Sequence, residues 1–428
     1  MDFWDERHET MPLEELKQLQ LKRLRDTVQR AYTVNGHYHD KLKAADVSPD
    51  DVRTLDDITR LPFLTKAELR DYYPFGLLCV DLEDCVEVHA SSGTTGKPVV
   101  GPYTAGDIDL WSEVMARSLW ANGLRKGDIM QNAYGYGLFT GAHGFEKGAQ
   151  RIGAMVVPTS SGNTRRQITL MKDFGATAVA CTPSYSLFMA EVAADMGYEP
   201  REDFQLRLGL FGAEAWSDEM RKKIEGKWGI RAHEHYGLTE IIGPGVVTEC
   251  REQRMHVNAD HFLTEIIDPD TGEQLPPDNE GELVFTTITK EGFPALRFRT
   301  GDIAEYTEEP CECGRTLPVI SRIKGRSDDM MKIKGVIVFP SQLEEVMMQQ
   351  PGASGHYQLI KKEKRGLTTL TIKIEPTRER HRQGNLDDLA ERIEEDIYAV
   401  LNLHIPVEVV EPETIPRSMG KAQRVVEE

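Results

Sequence analysis

Ser91-Ser92-Gly93-Thr94-Thr95-Gly96-Lys97-Pro98 is the stretch whose reading decides the rest of the chain. Ahead of it, Val86-Glu87-Val88-His89-Ala90 alternates as a strand does, and Val99-Val100-Gly101-Pro102-Tyr103 behind it reads as a second strand. The stretch is therefore a strand-to-strand loop carrying two glycines, four hydroxyls and one ammonium. Glycines let backbone N–H groups approach a polyphosphate, while the hydroxyls and the lysine meet its oxygens. A Walker A loop would need glycine at Ser91, Ser or Thr after the lysine, and a helix next; Pro98 and a strand stand there instead. A plain polar hairpin turn is the alternative reading.

Working outward, strands and helices alternate from residue 105 to 228, with strands at 129–134, 154–158, 178–182 and 208–212. That alternation predicts an α/β fold with a mostly parallel, helix-covered sheet. Ligands of such sheets lie beyond the carboxyl ends of the strands, where Thr182-Pro183-Ser184 and Gly212-Ala213-Glu214 fall. The turn at 133–141 offers a G-x-G but lacks the third glycine of a dinucleotide site, so it reads as a small-residue turn beside aromatic side chains. From Phe262 onward short strands and turns predict a β-subdomain.

The expected organisation has three parts. Residues 1–75 are a helical N-terminal segment of the large domain, with a Thr65 cap and Glu68 three residues on, structural rather than chemical in role. Residues 76–326 complete the large domain, and 327–428 form a small mobile α+β domain, in which 377–383 reads as a solvated charged loop.

Composition bounds the function. A chain of 428 residues exceeds one ordinary core, and 51 basic against 70 acidic residues leave a net charge of −19. Such a balance argues against general nucleic-acid or anionic-membrane binding. No apolar run reaches a membrane span, the N-terminus lacks a signal-peptide pattern, and six scattered cysteines suit a reduced compartment, which together predict the cytoplasm. Cys250, His256, Cys311 and Cys313 supply enough soft ligands for a closed tetrahedral Zn²⁺ site, with His261 rivalling His256; unligated thiols are the alternative. Cys79, Cys85 and Cys181 read as buried small residues.

Five ordered motifs then converge: Ser91 to Pro98, Tyr236-Gly237-Leu238-Thr239-Glu240, Arg299-Thr300-Gly301-Asp302, Gly325-Arg326-Ser327-Asp328-Asp329, and Gly420-Lys421. In this order they resemble the adenylate-forming acyl-CoA ligase superfamily. Asn132 to Gly141, Thr182-Pro183-Ser184-Tyr185 and Gly243-Pro244-Gly245 look most like its phenylacetate–CoA ligase group. The resemblance covers nearly the whole chain. It implies an aryl or arylacetic acid and ATP forming an acyl-adenylate, then attack by coenzyme A, with AMP and pyrophosphate released.

The same resemblance implies the roles. Ser91, Ser92, Gly93, Thr94, Thr95, Gly96 and Lys97 would wrap the phosphates; Gly212, Ala213 and Glu214 would border adenine, on which Tyr236 stacks beside Gly237. Thr239 would touch the α-phosphate and Glu240 hold Mg²⁺, a hard ion suited to carboxylate. Asp302 would accept the ribose hydroxyls and Arg326 would stand near phosphate or ribose. Lys421 would bridge carboxylate and α-phosphate, and Asp328 would be the hinge about which the small domain rotates. Tyr134, Tyr136, Phe139, Gly212, Ala213 and Pro244 would line the acyl pocket, where burying a ring of ~150 Å² contributes about 4 kcal/mol. Relatives imply a homodimer. The competing reading is an adenylyltransferase of the coenzyme F390 synthetase type, which leaves AMP on its acceptor. A non-catalytic scaffold is disfavoured by the joint presence of the loop, Glu240, Asp302 and Lys421.

Overall fold

A computed structural model describes residues 2–91, 97–327, 331–333, 336–364, 367–418 and 422–427. Ser92, Gly93, Thr94, Thr95, Gly96, Asp328 and Lys421 lie outside the described residues. The chain divides into two compact units. One comprises Met1–Ser160, Thr177–Ala180 and His233–Arg322; the other comprises Ser161–Ala176, Cys181–Ala232 and Ile323–Glu428.

The first unit is built on an antiparallel run. Phe262–Ile267 pairs with Glu280–Thr287, which pairs with Phe298–Thr307. Val319–Ile320 joins that strand to Met255–Val257, and Gly243–Glu249 continues the run to the end of Arg231–Leu238. Its parallel portion places Ile129–Asn132 between Met155–Val157 and Ala178–Cys181. The unit is therefore mixed: a parallel portion joined to antiparallel strands that include the expected β-subdomain. Gly243 and Gly245, both with φ of 100°, interrupt the local pattern that marks a strand, yet their segment is mostly buried and pairs on both sides, with a shift of register between Tyr236 and Gly237.

Helices cover the sheet for local reasons. Leu16, Leu24, Val28 and Ala31 recur on one buried face of Leu13–Val34. Thr104 and Asp107 form the reciprocal cap that starts Ala105–Ala121. Thr140–Ile152 opens with Thr140, Gly141, Ala142 and Gly144, small buried residues, so it starts inside the turn read at 133–141. A further helix, Gly36–Ala44, is capped by Asn35.

The second unit holds Leu208–Gly212, flanked by the helices Pro183–Asp195 and Asp218–Trp228, and a four-stranded sheet. There Ala353–Lys364 and Leu367–Pro376 form a long antiparallel hairpin, with Val407–Val409 and Val425–Glu427 parallel on its two sides. The expected loop at 377–383 is a helix, Arg378–Gln383, whose first turn is capped by the Thr377 side chain. Its arginines are spent on ion pairs, Arg378 with Asp195 and Arg380 with Asp388, so charge there marks pairing and not disorder.

Candidate active site

The strand Arg231–Leu238 delivers Tyr236-Gly237-Leu238-Thr239-Glu240 to a tight turn. Only glycine fits at 237: a Cβ there would lie 1.9 Å from the Gly243 carbonyl oxygen. Three buried donors hold the chain just after Glu240. Lys290 Nζ donates to the Ile241 carbonyl at 2.8 Å, the Tyr103 hydroxyl to Ile242 at 3.0 Å, and Trp111 Nε1 to Pro244 at 2.9 Å. Lys290 is 1% exposed and its ammonium lies 4.6 Å over the Tyr103 ring. Burial lowers its pKa to about 8, and the nearby carboxylates of Asp107 and Glu240 resist that fall. Thr239 and Glu240 are both buried. Thr239 Oγ1 stands 3.5 Å from Thr140 Oγ1, and Glu240 Oε1 lies 3.4 Å from Lys66 Nζ.

Asp302 is presented beside this turn. The Tyr236 hydroxyl donates to Asp302 Oδ2 at 2.6 Å, a short charge-assisted bond joining the expected adenine platform to the expected ribose acceptor. The approach to Asp302 is fixed from behind. Thr300 Oγ1 accepts from the Asp302 N–H at 2.9 Å and donates to Leu283, while Glu282 takes the Gly301 N–H and pairs with Arg299.

The described base of the phosphate loop is closed by two bonds: Ser91 N–H to the Val99 carbonyl and Val99 N–H to Ser91 Oγ, both at 2.9 Å. Below them Cys85–Ala90 and Val100–Thr104 pair antiparallel, as expected from the sequence. Lys97 is exposed and lies 5.8 Å from the Tyr73 ring centre. Tyr134 stacks on Phe145 at 5.0 Å, and Phe145 meets His235 edge-on at 4.8 Å. His235 is fully buried, and burial drives its pKa down to about 3, so this wall of the aromatic cluster is uncharged. Tyr136 accepts from Asn132 Nδ2 at 2.9 Å, and Phe139 is exposed. Pro244 packs where the helix at Gly144 approaches so closely that a Cβ would come within 2.6 Å of its ring.

In the second unit, Gly212 ends its strand and Ala213 takes a φ of 71°, a left-handed conformation unusual for alanine. This turn aims Glu214 at two backbone amides, Ser184 N–H at 2.7 Å and Ala422 N–H at 3.0 Å. Arg326 is half-buried in the two-residue strand Gly325–Arg326.

The sequence reading missed Lys66, Lys290, Tyr103 and Phe145. Lys66 lies in the N-terminal stretch expected to be purely structural, yet it reaches Glu240. Its position directly after the Thr65 cap was the available signal. Lys290 lies in no motif, and only the fold shows that it is buried.

A second cluster in the first unit gathers Cys250, His256, Cys311 and Cys313, all buried, with one ligand atom of each within 4.8 Å of the others. Cys250 and Cys311 sulfurs are 3.8 Å apart, too far for a disulfide, and Cys313 Sγ is 3.4 Å from His256 Nε2. A tetrahedron with Zn–S of ~2.3 Å and Zn–N of ~2.0 Å has S–S edges of about 3.8 Å and S–N edges of about 3.5 Å. His256 Nδ1 faces the Leu317 carbonyl at 3.0 Å, which turns Nε2 toward the sulfurs. Hydrogen bonding with Cys250 and His256 holds the Cys313 thiol below the usual thiol range against burial, while the bond with Cys313 raises Cys250. Burial opposes protonation of His256, but its bonds with Cys311 and Cys313 keep its pKa raised. His261 is not in this cluster; its Nε2 lies 3.0 Å from Asp260. Cys79 and Cys181 are buried as expected, but Cys85 is half-exposed.

The AMP-binding enzyme family matches residues 17–289, and its C-terminal domain matches 335–428. The chain belongs to the AMP-binding enzyme family. Phenylacetate-coenzyme A ligase of Thermus thermophilus is 43% identical, over 98% of both chains. The Escherichia coli enzyme of the same name is also 43% identical, over 97% of this chain and 96% of its own. Among solved structures, 2-hydroxyisobutyryl-CoA ligase in the postadenylation state superposes with a TM-score of 0.95 at 27% identity, covering 100% of this chain and 93% of that one. Membership of this adenylate-forming family supports the use of ATP and coenzyme A with a small-molecule acid. No helix among the described residues is long and apolar enough to cross a membrane.

Proposed function

We propose that the protein is an ATP-dependent aryl- or arylacetate–CoA ligase of the phenylacetate type. It activates a carboxylic acid as its adenylate and then transfers the acyl group to the thiol of coenzyme A. The observation that carries the reading is the Tyr236–Asp302 bond beside the braced Thr239–Glu240 turn, within a chain 43% identical to ligases of that name along nearly its whole length. The acid's own carboxylate is the nucleophile, so the protein needs no Ser–His pair. It has to align an oxygen with the α-phosphorus and neutralise the charge that grows there.

In this reading Tyr236 supports adenine with Gly237, and Asp302 accepts both ribose hydroxyls, sharing one oxygen with the tyrosine. Gly212, Ala213 and Glu214 border the base; Ser91, Ser92, Gly93, Thr94, Thr95, Gly96 and Lys97 take the phosphates, with Arg326 near them. Thr239 meets the α-phosphate. Glu240 is the carboxylate that holds Mg²⁺, which when bound offsets phosphate charge. Lys421 bridges the attacking carboxylate and the α-phosphate as a point charge. Asp328 is the pivot of the small domain, taken as 327–428, and Tyr134, Tyr136, Phe139 and Pro244 with Gly212 and Ala213 receive the acyl group.

Cys250, His256, Cys311 and Cys313 form a structural Zn²⁺ clip in this proposal, the thiolates supplying the charge and the closed tetrahedron leaving no position for substrate. The cytoplasm and a homodimer complete the proposed setting. The test is a panel of carboxylic acids scored for coenzyme A-dependent AMP release. Phenylacetate and related arylacetic or aromatic acids are expected to lead it. An AMP-linked deazaflavin formed without coenzyme A would favour the adenylyltransferase instead.

A further inference from the structure

We propose that Glu87, His89 and His143 form a further metal site in the first unit, one that takes an exchangeable six-coordinate divalent ion of the Co²⁺ or Ni²⁺ kind. None of the three is among the residues assigned above to nucleotide, acid or zinc. One ligand atom of each lies within 4.8 Å of the others. Spacing in the sequence prepares this. Glu87 and His89 are two apart on the strand Cys85–Ala90, so their side chains leave the same face. His143 stands near the start of the helix Thr140–Ile152, and Lys147, four residues on, shares its side.

Two consecutive backbone carbonyls orient the rings. His89 Nδ1 lies 3.1 Å from the Leu138 carbonyl, and His143 Nε2 lies 3.1 Å from that of Gly137. A carbonyl oxygen only accepts, so each of those nitrogens carries its proton. The other nitrogen of each ring is left for a ligand, which is how metal-binding histidines are commonly held. Ring contacts add to the restraint. His89 is buried and meets Tyr103 and Trp111 edge-on at 5.5 and 5.4 Å. The His143 ring centre is 4.8 Å from that of His89, and it meets Tyr136 edge-on at 5.2 Å.

The contact between His89 and Glu87 then requires a cation. His89 Nε2 lies 2.7 Å from Glu87 Oε1, and a nitrogen lone pair repels a carboxylate oxygen at that distance unless a proton or a metal ion joins them. Adjacent ligands at ~2.1 Å from an ion are ~3.0 Å apart in an octahedron and ~3.4 Å apart in a tetrahedron. The short edge favours the octahedron, in contrast to the cysteine cluster with its 3.8 Å edge between sulfurs. Imidazole ligands select a borderline first-row ion over Mg²⁺. Lys147 Nζ donates to Glu87 Oε2 at 3.0 Å, which fixes the carboxylate and leaves Oε1 for the ion. The charge of Lys147 and a set of only three protein ligands make this site weaker than a closed one. Glu87 and His143 are half-exposed, so water reaches the remaining positions.

The experiment titrates the full-length protein with Co²⁺, any metal it already holds being counted first, and follows binding by calorimetry, absorption and melting temperature. About one further equivalent per chain is expected, with the weak absorption of an octahedral nitrogen–oxygen site and no thiolate charge-transfer band. The melting temperature is expected to rise with added Co²⁺, because the ion binds the native state. His143→Ala and Glu87→Gln are each expected to weaken this uptake by about 100-fold while melting close to the wild type without added Co²⁺. Either variant suffices if the other folds poorly. No uptake beyond the metal already held, uptake that brings a thiolate band, or uptake equal in wild type and variants would overturn the proposal and leave Glu87 and His89 as a proton-bridged pair.

Discussion

Two buried polar clusters in the first unit solve opposite problems. Around Glu240 and Asp302 the internal partners are already present: Tyr236 donates to Asp302, Lys66 reaches Glu240, and Lys290 and Tyr103 pin the following carbonyls. Around Cys250, His256, Cys311 and Cys313 the heads of four ligands converge, with Arg315 Nη1 3.6 Å from Cys313 and the backbone N–H groups of Arg254 and Arg315 bonding to Cys250 and Cys313. Arg315 is also paired with Glu9 at 2.6 Å. In the first arrangement the protein's own donors and acceptors are paired with one another. The second brings four soft ligands to tetrahedral spacing, which suits the zinc clip proposed above.

The largest expected effect lies outside both clusters and sharpens the contrast by showing where chemistry resides. Lys421→Ala should slow adenylation by several orders of magnitude, measured by pyrophosphate exchange, and leave thioesterification of supplied acyl-adenylate largely intact. Equal loss in both would remove its assigned role.

Next, the metal clip predicts zinc near one per chain by elemental analysis after mild purification. Less than ~0.3 per chain would end that assignment. Cys313→Ser should lower both the zinc content and the melting temperature, the latter by roughly 5 °C or more. His261→Ala should leave zinc content unchanged, since its ring faces Asp260.

On the nucleotide side, Asp302→Asn should raise KM for ATP by about tenfold, because one acceptor oxygen facing ribose and Tyr236 is replaced by a donor. Tyr236→Phe, which keeps the ring and deletes the hydroxyl, should raise it less. The reverse order would break the idea that the tyrosine serves Asp302 as a brace.

The smallest effect is one of pH. Lys290 titrates at about 8 in the folded chain against 10.5 unfolded, because burial disfavours its charge. Between those values the unfolded chain binds more protons, so raising the pH favours the native state. The unfolding free energy of the wild type relative to Lys290→Met should therefore increase from pH 8 to about 10.5. A flat difference would show that the ammonium is not buried as described.

Much of this site was legible before folding because the relevant residues are contiguous. Tyr236 to Glu240 runs off the end of its strand into a turn, Arg299 to Asp302 lies in the first half of the strand Phe298–Thr307, and the capping box at Thr65 and Glu68 is a local pattern that the structure reproduces. The strands at 243–249 and 255–257 were not legible, although they pair with sequence neighbours, since glycine and isolated polar residues obscure their alternation. Lys290 was invisible for a related reason. Nothing near it in sequence signals that Tyr103, Asp107 and Ile241 would enclose it. The helix at 378–383 was hidden by its charge, which reads as solvation until its ion-pair partners are located.

The central claim is that a nucleotide is held between the Tyr236 ring and the Asp302 carboxylate. It is tested most directly by a crystal of the enzyme with a non-hydrolysable phenylacetyl-AMP analogue. Adenine stacked on Tyr236 with both ribose hydroxyls on Asp302 is the predicted result; an analogue bound elsewhere, or the Tyr236–Asp302 pair left without a ligand at saturating concentration, would contradict it.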